Sequence, residues 1–377
     1  MKDIRTILPN IASDTTGAAA ALFEAEGLTI IHDAAGSHEV FVTFEEARDL
    51  ENRRTVSSRM TQLEAVTGDD SRLLDAIIAE CEDEAPNFVA IIGSPVPFTI
   101  GADLDGLAAE VEFSTGVPAF AVNCGAFAPY DKGAGEAILK LIKKAALPPS
   151  ESEGMTVNLL GATPLDYSSA EIRGICARLQ SKGVDKVNII AMDAGFEVFQ
   201  NAAQAKANVV ISAVGLPAAR WLKDRFGIPY FMGVPVSDMS ADGIAGAIFG
   251  TAEHVPPPAV DEGKEVLIIG ESVLAKNLAR NYMEIFGHPA VAGIVSSYDA
   301  EIFADVPHII LDTEDKIRRE LKKGYYAVIG DPLYKLLLPK NSPGIFIERP
   351  HRAQSGRLYP PTEKTLDELI EELKSIL

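Results

Sequence analysis

Two imidazoles, two carboxylates and a hydroxyl stand within eight positions: His32, Asp33, Ser37, His38 and Glu39. Histidine titrates near neutral pH and ligates metals through either ring nitrogen, so this group can work as acid and base or hold a metal or cofactor. His32, His38 and Glu39 are the candidates for catalysis, with Gly36 and Ser37 against a bound group. Gly36 frees the backbone to carry the three residues after it round the end of the apolar run at 28–31. Loops at the carboxyl ends of parallel strands are where α/β proteins place their chemistry, because the sheet behind holds the side chains still. The plainer alternative is a turn whose polar groups only satisfy the backbone. The identity of a metal is not indicated.

Three further places carry candidate chemistry. Cys124, in Val122-Asn123-Cys124-Gly125, can ligate a cluster shared with a partner subunit, or its thiol can pack as a small apolar group. Asp103, in Ile100-Gly101-Ala102-Asp103-Leu104, caps a helix whose N-terminus, left open, suits an anion or an electronegative cluster. His351, Arg352, Ser355 and Arg357 surround Gly356; guanidinium forks there hold a carboxylate-bearing ligand or pair with acidic residues of a neighbouring unit. Gly270-Glu271-Ser272 opens another helix, but GxGxxG is absent and Glu271 would repel a pyrophosphate, so we expect no NAD.

Holding such side chains in place requires strands that end beneath them. Short apolar runs at 28–31, 88–92 and 118–123 alternate with helical patterns at 15–26, 44–54, from 71, from about 100, and at 134–146. The breaker-rich stretch 148–154 follows. The grammar then resumes with strands at 156–160, 186–191, 209–212 and 228–232, and helices from 168 and at 196–206, 215–226 and 241–252. After the proline run at 256–258 come strands at 266–269, 290–295, 308–311 and 327–329. Runs end apolar-apolar-glycine at Gly93, Gly161, Gly270 and Gly330. This predicts an α/β protein of three Rossmann-like α/β/α domains with parallel sheets around a central crevice, bounded at 1–150, 151–258 and 259–377. Thr365 and Glu368 form a capping box for an amphipathic tail helix whose Leu366, Leu369, Ile370 and Leu373 cover a sheet face.

Composition narrows the function. Lys and Arg number 34 against 54 Asp and Glu, a net charge of −20. The dense basic stretch Lys316 to Lys323 is interleaved with acids and reads as a solvated helix face, so nucleic acid is not an expected partner. No apolar run reaches about 18 residues, so no membrane span is expected. The first ten residues lack the apolar core of a secretory signal. Cys81, Cys124 and Cys176 form no paired framework, which fits a reducing cytoplasm, and are too few for this chain alone to hold a four-iron cluster by thiolates.

The pattern of apolar strand, His32, small residues, Gly36, Ser37 and the later aromatic Phe41 resembles the first cluster-binding loop of the nitrogenase component 1 family. That loop typically reads His-Gly-Pro-x-Gly-Cys, and Ser37 stands where the family's cluster cysteine would be. Ile100 to Leu104 resembles the family's Ile-Gly-x-Asp helix start, again with no cysteine before it, and 53–60 lacks the thiol that relatives carry there. Val157 to Gly161, Asp193 to Glu197, 202–210, and 226–235 resemble the family's second domain in order and spacing. The resemblance implies three α/β domains round a crevice and pairing with itself or a homologous subunit. It also implies an oxidoreductase reducing a substrate or cofactor with electrons from a reductase-like ATPase. The absent thiols imply that any iron-sulfur cluster is shared with a partner. The alternatives are a non-catalytic cofactor-binding scaffold, or a metal-binding protein using His32, His38 and Glu39.

Overall fold

Among the described residues, thirteen short strands, most of them runs of Val, Ile, Leu and Ala, form three separate sheets in which every neighbour is parallel, as chains that cross over through helices must be. The computed structural model describes residues 6–34, 36, 41, 46, 48, 54–150, 154–193, 195–251, 260, 263–297, 299–302, 306–340, 342, 344–360 and 364–376. The first sheet contains β1 (Leu28–Ile31), β2 (Thr55–Ser57), β3 (Val89–Ile92) and β4 (Ala119–Val122), in the order β2-β1-β3-β4. The second has β5 (Thr156–Leu160), β6 (Lys186–Ile189), β7 (Ala207–Val210) and β8 (Tyr230–Met232), ordered β6-β5-β7-β8. The third has β9 (Val266–Gly270), β10 (Ala290–Ile294), β11 (His308–Ile310), β12 (Ala327–Gly330) and β13 (Ile345–Glu348), ordered β11-β10-β9-β12-β13. These are three Rossmann-like units. The central strands β1, β3, β7, β9 and β12 are wholly buried, which is why β3, β9 and β12 read as unbroken apolar runs, while β1 and β7 bury Thr29 and Asn208 within theirs.

The four apolar-apolar-glycine endings all fall on central strands, β3, β5, β9 and β12, where strand order reverses. The first two units share a detail there. Ser94 Oγ, past β3, donates to the carbonyl of His32 at 2.8 Å, and Ser212 Oγ, past β7, donates to the carbonyl of Gly161 at 2.8 Å. His32 therefore holds the place that Gly161, at φ +95°, holds in the second unit.

Several elements depart from the expected ones. β2 is a three-residue edge strand with one buried, one half-buried and one exposed side chain, too polar to announce itself. The helix expected from 100 is two, Pro95–Ile100 and Leu104–Thr115, because Gly101 at φ +72° ends the first in a left-handed cap. The helix expected at 196–206 is one turn, Glu197–Gln200, and a tighter turn, Asn201–Gln204, since β7 begins at Ala207. The helix expected at 44–54 and the proline run at 256–258 lie largely or wholly outside the described residues.

Two glycines let two helices of the first unit pack together, and a third lets that pair meet the second unit. Helix Asp14–Leu22 lies against helix Tyr130–Ala145 so closely that a Cβ on Gly17 would sit 1.9 Å from the Tyr130 carbonyl oxygen, and one on Gly133 would sit 1.9 Å from that of Asp14. Gly135 lets the same helix approach Val214 and Pro217 of the second unit. One apolar core runs from these helices through the second sheet to one face of the third, with smaller cores on the outer sides of the first and third sheets. Tail helix Leu366–Ile376 buries Leu366, Leu369, Ile370 and Leu373 in the shared core, with Thr365 and Glu368 bonded as a capping box and Asp367 paired to Arg178 of the second unit. Among the described residues no helix is long and apolar enough to cross a membrane.

Candidate functional site

The carboxyl edge of the first sheet is stitched tightly. The His32 N–H donates to the Ile92 carbonyl at 2.8 Å; Asp33 exchanges two 3.1 Å bonds with Ser58 Oγ; and Met60 N–H donates to the Asp33 carbonyl at 2.8 Å. The His32 ring is buried, with Nε2 3.3 Å from Asp70 Oδ1 but neither ring nitrogen in a well-formed hydrogen bond among the described residues. Burial pushes its pKa below 6.5 against the pull of the Asp70 carboxylate, so the neutral imidazole is favoured.

Asp70 gives this pair its character, and sequence reasoning missed it. It stands at the N-cap of helix Ser71–Asp83, where an aspartate ordinarily accepts from the first N–H groups, yet it makes no capping bond. Asp69 accepts from Ser71 N–H and Oγ instead, at 3.0 and 2.6 Å. Asp70 spans the buried ring and a cleft of about 700 Å³ lined by Val66, Gly68, Gly101, Asp103 and Glu110. The signal available in the sequence was the doubled Asp69-Asp70 before one helix: one carboxylate suffices for the cap.

The other candidates on this edge divide. Gly36 is exposed at φ +105°, a conformation glycine tolerates best, while Ser37, His38 and Glu39 lie outside the described residues. Asp103 caps helix Leu104–Thr115, accepting from the Gly106 N–H at 2.9 Å, and lines the same cleft as Asp70. Cys124 lies past β4, on the other side of β3 from His32, and is buried; desolvation, with Asp14 and Glu136 adding repulsion, drives its thiol far up, so it is held as thiol.

The late cluster resolves differently from the first edge. His351 is buried, with Nε2 3.1 Å from Asp166 Oδ1 of the second unit and 3.3 Å from the hydroxyl of Tyr130 of the first, which itself donates to Asp166. Its backbone N–H donates to Asp331 at 2.8 Å. All three units thus meet on one carboxylate, and His351 pairs with an acid of a neighbouring unit. Arg349, which sequence reasoning passed over, makes a buried 3.0 Å pair with Glu171 and donates to the Asp166 carbonyl at 2.9 Å. Arg352 is half-buried, donates weakly to the Gly356 carbonyl at 3.4 Å, and lines with Ser355, Tyr359 and Glu171 a cavity of about 20 Å³, room for about one water. Arg357 Nε donates to the Glu46 carbonyl at 2.5 Å. Glu271 is fully buried, accepts from Ala213 N–H, Ser272 Oγ and Leu274 N–H at 2.7 to 3.0 Å, and is pushed up to about 7 by burial and by Asp166.

The thiols do not fit a cluster held by this chain alone. Cys81 lies in the outer core of the first sheet, Cys124 in the shared core and Cys176 on helix Ser169–Ser181 of the second unit. Among the described residues no three His, Cys, Asp or Glu side chains are grouped to hold a metal ion.

Comparison with known proteins bears on this arrangement. A family model described as nitrogenase component 1 type oxidoreductase matches residues 13–332. The nitrogenase iron-molybdenum cofactor biosynthesis protein NifE of Rhodobacter capsulatus is 29% identical over 188 residues, 48% of this chain and 38% of that protein. One chain of the light-independent protochlorophyllide reductase of Gloeothece citriformis is 21% identical over 282 residues, 63% of this chain and 54% of that one. The matches thus span between about a third and about half of these relatives' lengths. A solved structure of nitrogenase Cp1 at pH 6.5 superposes on all of this chain and 94% of its own with a TM-score of 0.74, at 14% identity, which speaks to the fold.

Proposed function

The chain belongs to the nitrogenase component 1 type oxidoreductase family, and from that membership we propose that it works as one member of a nitrogenase-like reductase assembly. In this reading a homologous partner supplies the cluster thiolates that this chain lacks, and a reductase-like ATPase supplies electrons. The two homologous chains meet at the carboxyl edge of the first sheet. The observation that carries the reading is the bare apolar rim of that edge. Leu63, Val66, Phe98 and Phe127 are 71, 79, 59 and 75% exposed, helix Gln62–Thr67 touches helix Pro95–Ile100, and the Phe98 and Phe127 rings meet edge-on at 5.7 Å. A contiguous aromatic patch of this kind is costly in water and typical of an interface core.

His32 serves as the acid–base group behind this face, with Asp70, 3.3 Å from its Nε2, as the positioning residue. Ser37, His38 and Glu39 remain proposed contributors from the adjoining loop. No redox step is assigned to this chain's own residues.

The test is anaerobic co-expression with homologous, cysteine-bearing neighbours, followed by mass determination and iron and sulfide analysis. A complex carrying iron and sulfide near stoichiometry, split by Phe98→Asp with Phe127→Asp, is expected. A chain that stays alone and free of iron with every such neighbour overturns the reading. A complex that forms but stays colourless favours the second reading, a cofactor-carrying scaffold, which the likeness to cofactor biosynthesis proteins supports.

A further inference from the structure

We propose that the cleft at the carboxyl edge of the first sheet binds a small organic cation, an ammonium group carried on an apolar body. The proposal rests on the reading above in taking this edge as the working face, and needs neither the partner chain nor iron. The cleft measures about 700 Å³, within the range of small-molecule sites. Helix Gln62–Thr67 and the turn to Asp70 form one wall, and the stretch from Ile100 into helix Leu104–Thr115 forms the other.

The walls are one-sided in charge. Asp103 and Glu110 lie seven positions apart and so share one helix face with the apolar Leu107 between them, while Asp70 and Val66 belong to the other wall. Among the described residues no Lys or Arg lines the cleft or pairs with any of the three carboxylates. Arg72, the cation next along the helix from Asp70, is taken by Glu64 and by the carbonyls of Ser58 and Arg59. A recess of one sign between apolar walls focuses its field and concentrates counter-ions. The helix ends agree. Gln62–Thr67 and Pro95–Ile100 finish at the cleft in the glycine caps Gly68 and Gly101, which brings two carbonyl ends to it, and the helices that start there are closed by Asp69 and Asp103.

His32 is a second, independent sign of a ligand. Its ring is 2% exposed, neither nitrogen makes a well-formed hydrogen bond among the described residues, and Nε2 faces Asp70, the carboxylate between it and the cleft. Burial favours the neutral ring, so the charge of Asp70 stays unanswered. Among the described residues these acids are not grouped to hold a metal ion, and their spread along two walls suits an extended organic cation.

The probe is dansylcadaverine, a fluorescent primary amine, with the uncharged N-butyl dansylamide as its counterpart and hexylamine as competitor, on the isolated full chain at physiological salt. Saturable binding of one amine per chain, displaced by hexylamine and accompanied by a shift of the His32 imidazole resonances, is expected. Asp103→Asn, which keeps a capping oxygen, with Glu110→Gln should weaken the amine about tenfold and the neutral dansylamide less than about twofold, and Ala65→Trp should block both. Asp75→Asn with Glu82→Gln removes the same charge from the exposed face of helix Ser71–Asp83 and should change binding less than about twofold, which separates a built cleft from the general pull of a chain of net charge −20. Circular dichroism and thermal melting confirm that each variant folds. Amine binding that survives Asp103→Asn with Glu110→Gln, or that falls equally in the exposed pair, overturns the proposal. So does an unaltered protein that takes the neutral dansylamide as tightly as the amine, whatever the co-expression experiment shows of the assembly.

Discussion

Asp70 sits where an aspartate ordinarily closes the start of a helix and is turned to His32 instead. Because burial depresses the imidazole and the carboxylate opposes that depression, Asp70→Asn should lower the His32 pKa further, read from imidazole chemical shifts against pH; a rise refutes the pairing. The linkage has a definite sign. With the folded-state value below 6.5, the unfolded chain takes up the proton first, so this histidine removes stability as pH falls through 6.5. Glu271 works in the opposite direction. Raised from 4.5 to about 7, it is protonated in the folded state where the unfolded carboxyl is ionised, so its contribution is present below about 4.5 and fades as pH rises through about 7. Glu271→Gln should therefore flatten the melting temperature between pH 5 and 7.5, and an unchanged slope would place the titration elsewhere. The sequence marked His32 by its place after an apolar run. It could not show Asp70 as its partner, because a carboxylate before a helix reads as a cap until the geometry shows which of two does the capping.

Three strands of the second sheet carry an asparagine at the same level: Val157-Asn158-Leu159, Val187-Asn188-Ile189 and Ala207-Asn208-Val209. Asn158 Nδ2 donates to Asn208 Oδ1 at 2.8 Å, and Asn188 Nδ2 donates to Asn158 Oδ1 at 3.2 Å, all three buried. Asn158→Leu strands an amide on each side and should lose about 2 to 4 kcal/mol in denaturant titration, whereas replacing all three by apolar residues should recover most of that loss. This ladder was legible as a thrice-repeated apolar-Asn-apolar pattern and went unread, since each strand taken alone is only a strand with a polar interruption. The glycine contact of helices Asp14–Leu22 and Tyr130–Ala145 was not legible, because an alanine-rich helix with glycines looks merely weak until its partner is known. Gly17→Ala should cost about 3 kcal/mol by forcing the helices apart, seen as a lowered melting temperature.

At the scale of the molecule, the repeated glycine-ended strands gave away three units, while the junction between them stayed hidden, since Asp166 and His351 are 185 positions apart and nothing local links them. The pair Arg349 and Glu171 tests that junction. Both are buried, so Arg349→Met leaves a carboxylate in the interior without its cation and should destabilise by about 3 to 5 kcal/mol, with Arg349→Met and Glu171→Leu together restoring most of it. If the single and double variants melt alike, the pair contributes little to holding the units. The same centre also imposes a timetable on biosynthesis. Asp166 finds Tyr130 only 36 positions behind it but waits for His351 far ahead. A nascent polypeptide that has freed the first two units but not the third from the ribosome therefore shows Asp166 and Glu171 to water on a face that later becomes interior. His351 and Arg349, synthesised later, are the residues that dry it, which makes this half-made surface one a chaperone would meet.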